Sequence, residues 1–389
     1  MYSFIRGIAV STLVVMVAVQ SCFGISPEDI KALKAQVIQK HSIIGDKHPE
    51  YTVDGVWQMQ DEPNWFSGFL GGQYWIMYQL TGGSQFKNWG VDRADLLLPY
   101  SDLSNTHDMG FIFLPTVVAA YEETGSAKYR EGALEAAEML KKRFNEKGEY
   151  IRAWGELGTP DNAGLMIVDT MMNLELLFWA AEETGNREYY EVALTHALTT
   201  RREHIREDGS SFHVVKFDPS TGMVMDKITH QGYSDTSTWA RGQAWGIYGF
   251  ANTYKYTGDK RFLRTSQAMA DYFVTHLPPD SVPHWDLDLS GDDIIRDASA
   301  GAIAASGLYL LSDVAEDNRK ASGYAEYADA ITTSLAENYM FTESARETEQ
   351  GLLIHAVYHY NNDWGVDESN PAGDYYFLQA IQKKLNREQ

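Results

Sequence analysis

Residues 164–185 read GLMIVDTMMNLELLFWAAEETG, and this stretch decides the fold. Its residues are apolar or small nearly all the way round a helical circumference, the mark of a helix buried on every side. It ends at Thr184-Gly185, and glycine is the expected residue just past a helix end because the left-handed conformation suits it. The same Thr-Gly step recurs at Thr81-Gly82, Thr124-Gly125 and Thr257-Gly258. Each step follows an apolar helical run and precedes a second helix that opens near an aromatic: Phe86, Tyr129, Tyr189 with Tyr190, and Phe262. These second helices carry charge along one face, as in Lys128, Arg130, Glu131, Glu135 and Glu138, so they face solvent. The spacings of 43, 60 and 73 residues are too uneven for a strict repeat array and suit hairpins joined by variable loops.

First helices are expected to start near Trp65, Asp108, Leu165, Trp239, Ala298 and Ala372. Their partners run over 86–100, 127–145, 187–204, 260–276 and 319–340, with 27–41 as a sixth. Six buried helices inside six amphipathic ones predict an all-α fold, an (α/α)6 double barrel. Strand signals are sparse, confined to pieces such as Ser211–Phe217.

The barrel is expected to fill residues 25–389 as a single catalytic domain. Ahead of it, Arg6 precedes an apolar run from Ile8 to Val19 that is too short to span a bilayer, so residues 1–24 read as a signal peptide. Cys22 is the only cysteine, which excludes an internal disulfide, and its position resembles a bacterial lipoprotein cleavage box. Lipid anchoring at Cys22 and ordinary cleavage after Gly24 both stay open. Either way the protein is expected to be exported, periplasmic or lipid-anchored at a bacterial membrane surface. No later segment approaches the length of a transmembrane span. A net charge of −22 argues against nucleic acid as a partner, and obliges a site for an anion to supply its own local cations.

Topology places the site. The Thr-Gly turns gather at one end, while the long loops 145–164, 205–238, 277–297 and 341–371 gather at the other, with the heads of the inner helices. Helix heads present free N–H groups and a positive dipole end, which favours an anionic ligand. Asp108 and Asp169 fall at equivalent heads, and paired carboxylates are the usual equipment of glycoside cleavage. Asp169 sits among Leu165, Met166, Ile167, Val168, Met171 and Met172, so desolvation should raise its pKa, whereas Asp108 has His107 beside it and should stay charged. The blander role for either is a helix cap.

The segment 230–245, HQGYSDTSTWARGQAW, packs aromatics beside directional polar groups, as a sugar site requires. Arg241 and Trp245 share one helix face, and an arginine at the start of a buried helix needs a carboxylate, either a protein acid or a substrate uronate. Trp154, His213 and Gln231 lie in the long loops on the same side. His355 and His359 have metal-ligand spacing only if helical, and there is no nucleotide loop, so neither metal nor cofactor is expected.

SNTHDMGF, IVDTMMNLELL and HQGYSDTSTWARGQAWGIYGF resemble the unsaturated glucuronyl hydrolases of glycoside hydrolase family 88, over about residues 27–385. The resemblance implies a substrate left by a polysaccharide lyase, with a 4,5-unsaturated uronic acid at its non-reducing end. It implies hydration of the enol ether, with Asp169 as general acid and then base, and Asp108 positioning the ring and stabilising the developing cation. Trp65, His107, Trp154, His213, Gln231, Arg241 and Trp245 match the family's subsite residues, with Arg241 expected to meet the uronate. The chain is also similar, more distantly, to the unsaturated rhamnogalacturonyl hydrolases of family 105, and a non-catalytic glycan-binding surface lipoprotein is the alternative of another class. Around Asn370-Pro371-Ala372-Gly373 the family more often has a tryptophan, which leaves the second sugar's pocket and the sulfation pattern open.

Overall fold

The computed structural model describes residues 24–342, 344 and 348–388, so the expected signal segment with Cys22 lies outside the described residues. In chain order the described residues form α1 (Pro27–Ile44), α2 (Ser67–Thr81), α3 (Ser84–Leu97), α4, α5 (Ala127–Lys142), α6 (Thr170–Thr184), α7 (Arg187–Glu203), α8 (Ala240–Thr257), α9 (Lys260–Thr275), α10 (Ala298–Val314), α11 (Asn318–Ser334) and α12 (Pro371–Glu388). Helix α4 is continuous through Met109–Phe113, Leu114–Val118 and Ala119–Thr124, and its middle segment, which holds Pro115, is a π-turn.

The even-numbered helices form a ring in which each packs on the next and α12 returns against α2. Each odd-numbered helix from α3 to α11 packs against the even-numbered helix it follows. The double barrel expected from the hairpin pattern is the architecture observed. Contact between inner helices is close: a Cβ on Gly110 would sit 2.5 Å from Asn173 Cα, so α4 and α6 touch backbone to backbone just below the site. Aromatic rings fill the axis beneath, with Phe111 4.9 Å from Trp245 and Trp245 5.3 Å from Tyr376.

The Thr-Gly turns show why threonine accompanies glycine. Gly82, Gly125, Gly185 and Gly258 all take φ between 66° and 70°. Each threonine hydroxyl donates to the carbonyl four residues back, at 2.6–2.8 Å, and accepts the N–H two residues on, at 3.1–3.3 Å. One side chain thereby ends a helix and sets the direction of the next.

The opposite end differs from the expectation of sparse strands. It carries small antiparallel sheets: β1 (His48–Val53) with β2 (Val56–Gln60), β3 (Phe144–Asn145) with β4 (Tyr150–Ile151), the ordered trio β5 (Leu165–Ile167), β6 (Val214–Phe217) and β7 (Val224–Ile228), and β8 (Ala356–His359) with β9 (Trp364–Glu368). Helix α6 therefore begins at Thr170 rather than near Leu165, because Leu165–Ile167 pair with β6 across the barrel mouth. A buried ion pair joins the first and last helices: Lys40 Nζ lies 2.5 Å from Asp374 Oδ2, both side chains fully buried. The family departure at Asn370–Gly373 is structural here: Asn370 Oδ1 accepts the amide of Gly373 and caps α12.

Candidate active site

Asp108 and Asp169 each occupy the residue before an inner helix, yet neither carboxylate accepts a capping hydrogen bond. Asp297, ahead of inner helix α10, does, as do Asn186, Asp259 and Asp317 ahead of outer helices. The two acids are thus released from the structural role their position suggests. They line one cavity at the long-loop end, together with the expected Trp65, His107, Trp154 and Gln231, and with Ile167, His230, Tyr358, His359 and Trp364.

Burial raises the Asp169 pKa to about 7; the Arg241 charge pulls it down, and Asp108 pushes it up. A carboxyl so placed is half protonated near neutrality, as a working acid needs. Its Oδ2 has no hydrogen-bond partner among the described residues. The nearest imidazole is His213, whose Nε2 lies 3.8 Å from that oxygen. His213 Nδ1 accepts the amides of His230 and Gln231, both at 3.2 Å, which puts the ring proton on Nε2, facing the acid. Its carbonyl in turn accepts the amide of Val168, fixing loop and acid together.

Asp108 is held from both sides. Thr106 Oγ1 donates to Oδ2 at 2.6 Å, and His107 Nε2 lies 3.3 Å from Oδ1. Thr170 Oγ1 meets His107 Nδ1 at 2.7 Å, orienting the ring from the head of the helix that Asp169 precedes. Burial lowers the His107 pKa against the opposing pull of Asp108, so its imidazole stays neutral.

Arg241 stands at the head of inner helix α8, almost wholly buried. Its side chain is 2% exposed, its Nη1 pairs with Asp297 at 3.2 Å and also bonds Val357 O, and its Nη2 donates to Tyr358 O at 2.6 Å. The required carboxylate is thus a protein acid, and Arg241 stands behind the cavity wall, not among the lining residues. It acts on the site through its charge and by anchoring β8. Trp245 is wholly buried, packs on Phe111 and Tyr376 at the barrel axis, and lies outside the residues that line the cavity. Gly242 and Gly246, on the same helix, admit neighbouring side chains, Trp239 and Met269, not a ligand.

Two arginines hold the Trp154 loop. Arg143 donates to the carbonyls of Arg152, Ala153 and Gly155 at 2.8–3.1 Å, and Arg152 Nε donates to Trp154 O at 2.8 Å. Gln231 Nε2 donates to Tyr358 O at 2.7 Å, tying the 205–238 and 341–371 loops together. Sequence reasoning missed the lining residues Tyr358, His359 and Trp364; the one available signal was the aromatic density of residues 355–364, HAVYHYNNDW. His230 lay inside the highlighted 230–245 stretch without being singled out. His359 ends strand β8 and His355 precedes it with φ 61°, so the two are not on a helix and do not form the i,i+4 pair considered for a metal.

A ring of buried helices whose heads bear two uncapped carboxylates, in a cleft walled by indole, phenol and imidazole rings, defines a carbohydrate-cleaving barrel enzyme, a glycosidase. The comparisons carry this further. The model for Glycosyl Hydrolase Family 88 matches residues 40–276, and the chain belongs to that family. An unsaturated chondroitin disaccharide hydrolase of Streptococcus pneumoniae is 38% identical over 341 residues, 85% of this chain and 84% of that one. An unsaturated glucuronyl hydrolase of Bacillus sp. strain GL1 is 36% identical over 345 residues, 87% of this chain and 90% of that one. A crystal structure of the unsaturated glucuronyl hydrolase from Bacillus sp. GL1, responsible for the degradation of glycosaminoglycan, superposes with a TM-score of 0.86 at 33% identity and covers 93% of this chain and 96% of that one.

Proposed function

We propose that this glycosidase removes the 4,5-unsaturated glucuronic acid from the non-reducing end of glycosaminoglycan oligosaccharides released by a lyase. Asp169, protonated, delivers its proton to C4 of the enol ether, leaving an oxocarbenium-like centre at C5. Its carboxylate then takes a proton from the water that adds at C5. The resulting hemiketal opens and releases the next sugar. Asp108, set by Thr106 and His107, positions ring hydroxyls and stabilises the developing positive charge. The helix heads, and Arg241 behind the wall, supply the positive potential that an anionic substrate needs on so acidic a protein.

The observation that carries this reading is a carboxyl held near pKa 7, unpartnered at Oδ2, in a cavity shared with a second carboxylate. The test is the loss of ultraviolet absorbance as the double bond of unsaturated disaccharides is hydrated, with saturated counterparts as controls. Asp169→Asn should bind and fail to turn over; retained turnover would remove Asp169 as the acid. Export belongs to the same proposal, and mass spectrometry of the mature N-terminus distinguishes cleavage after Gly24 from lipidation at Cys22.

A further inference from the structure

The barrel has a second opening, at the foot where the Thr-Gly turns gather. A cavity of about 290 Å³ enters there beside Gln79 and Glu122, each two residues short of a turn, and runs up the axis to Phe69 and Phe111. Those two rings stand 6.0 and 5.5 Å from Trp65, which lines the active-site cleft. One layer of rings therefore divides the two cavities.

The foot cavity has its own chemistry. Trp75, Tyr248, Tyr375 and Tyr376 give it aromatic faces. Gln379 holds two of them: its Oε1 accepts from the Tyr248 hydroxyl at 2.9 Å, and its Nε2 donates to the Tyr375 hydroxyl at 3.2 Å. Glu122 and Glu175 supply its charge, with no lysine or arginine among the described residues that line it. Lys255 and Lys383 act on these acids from outside the lining. Partial burial, then the charges of Glu175 and Glu123, raise the Glu122 pKa, a repulsion that a cation relieves. A separate observation comes from the cavity's inner end. Trp245 is wholly buried, both of its ring neighbours, Phe111 and Tyr376, line this cavity, and neither lines the cleft. Its Nε1–H has no partner among the described residues, and a buried donor left unpaired marks a place for a ligand's acceptor.

Aromatic faces around two carboxylates suit an organic ammonium ion, because ring quadrupoles attract the cation and ring surfaces cover its alkyl groups. A metal ion is a poorer match, since no group of three or more ligating side chains is gathered among the described residues. We propose that the foot of the barrel is a second binding site, taking a small hydroxylated ammonium ion whose charge meets Glu122 and Glu175 and whose hydroxyl accepts from Trp245.

The test is isothermal titration of the whole protein at low salt, with choline as the probe and its uncharged isostere 3,3-dimethylbutanol as the control. Choline should bind with a dissociation constant of about 1 mM, and the alcohol at least about tenfold more weakly. Glu122→Gln and Glu175→Gln, which keep volume and hydrogen bonding, should each weaken choline about tenfold. Glu122 stands at the open mouth, where its replacement leaves the fold intact. Asp169→Asn, in the cleft, should bind choline as wild type does. No binding of choline, equal binding of the alcohol, or tighter binding of calcium would overturn the proposal. So would unchanged affinity in both glutamine variants, or loss of choline binding in Asp169→Asn, which would place the cation in the cleft instead.

Discussion

Replacing Asp169 by asparagine should strengthen the fold as it abolishes turnover, and by an amount that depends on pH. The acid's pKa stands at about 7 in the folded chain against 3.8 for an unperturbed aspartate, so the folded state holds the proton more tightly than the unfolded one. A group with a raised folded pKa contributes stability that is fully present below the unfolded value and lost as pH rises through the folded one. For Asp169 that window runs from about pH 4 to about pH 7. At 1.36 kcal/mol for each tenfold change in proton affinity, burying the acid costs the fold about 2 kcal/mol at pH 5, where only the unfolded chain ionises it, and about 4 kcal/mol at pH 8. Asparagine, nearly isosteric and never charged, escapes the cost. Urea unfolding of wild type and Asp169→Asn at pH 5 and pH 8 reads the difference directly. The variant's advantage should grow by about 3 kcal/mol between the two. An advantage that stays flat would refute the claim that Asp169 titrates near neutrality inside the cavity, and with it the reason for naming it the acid.

Three further outcomes are expected. Because the acid must carry its proton, wild-type kcat/KM should fall about tenfold per pH unit above 7, and Asp108→Asn, by removing a neighbouring negative charge, should move that alkaline limb to lower pH at reduced rate; a pH–rate profile checks both. Asp297→Ala leaves the buried Arg241 guanidinium without its carboxylate and α10 without its cap, so stability measured by denaturant should drop by about 3–5 kcal/mol. Gly110→Ala forces α4 away from the Asn173 backbone directly beneath both acids, so thermal unfolding should report a loss of about 1–3 kcal/mol, with activity falling as the acids separate.

The helices were legible because their signals are local: all-round apolar runs, charged outer faces, and a Thr-Gly stop on four inner helices. Asp108 and Asp169 were legible for the same reason, since an acid just ahead of a buried helix can only sit at the barrel's mouth. The small sheets were not, because most are local hairpins of strands two to six residues long, too short for an alternating pattern to stand out, and β5 finds its partner only at a distance, in β6. The residues that such strands carry, Tyr358 and His359 among them, went unseen with them. Arg241 and Trp245 show the remaining limit. Their spacing establishes a shared helix face, but only the packed barrel shows that this face meets Asp297 and the aromatic axis.

The π-turn in α4 makes the chemistry sensitive to chain length at a place that no substrate touches. One residue more than a regular helix needs is wound in at Leu114–Val118, between Asp108 at the head and the Thr124 turn at the foot. Deleting a residue there would let the helix run regularly with head and foot still in register, whereas inserting a further residue that the turn cannot absorb would swivel the head by roughly 100° relative to its foot. Asp108 would then turn out of the cleft while the barrel kept its helices, giving a protein with unchanged circular dichroism and no turnover. Such an insertion retaining full activity would contradict this coupling between winding and aim.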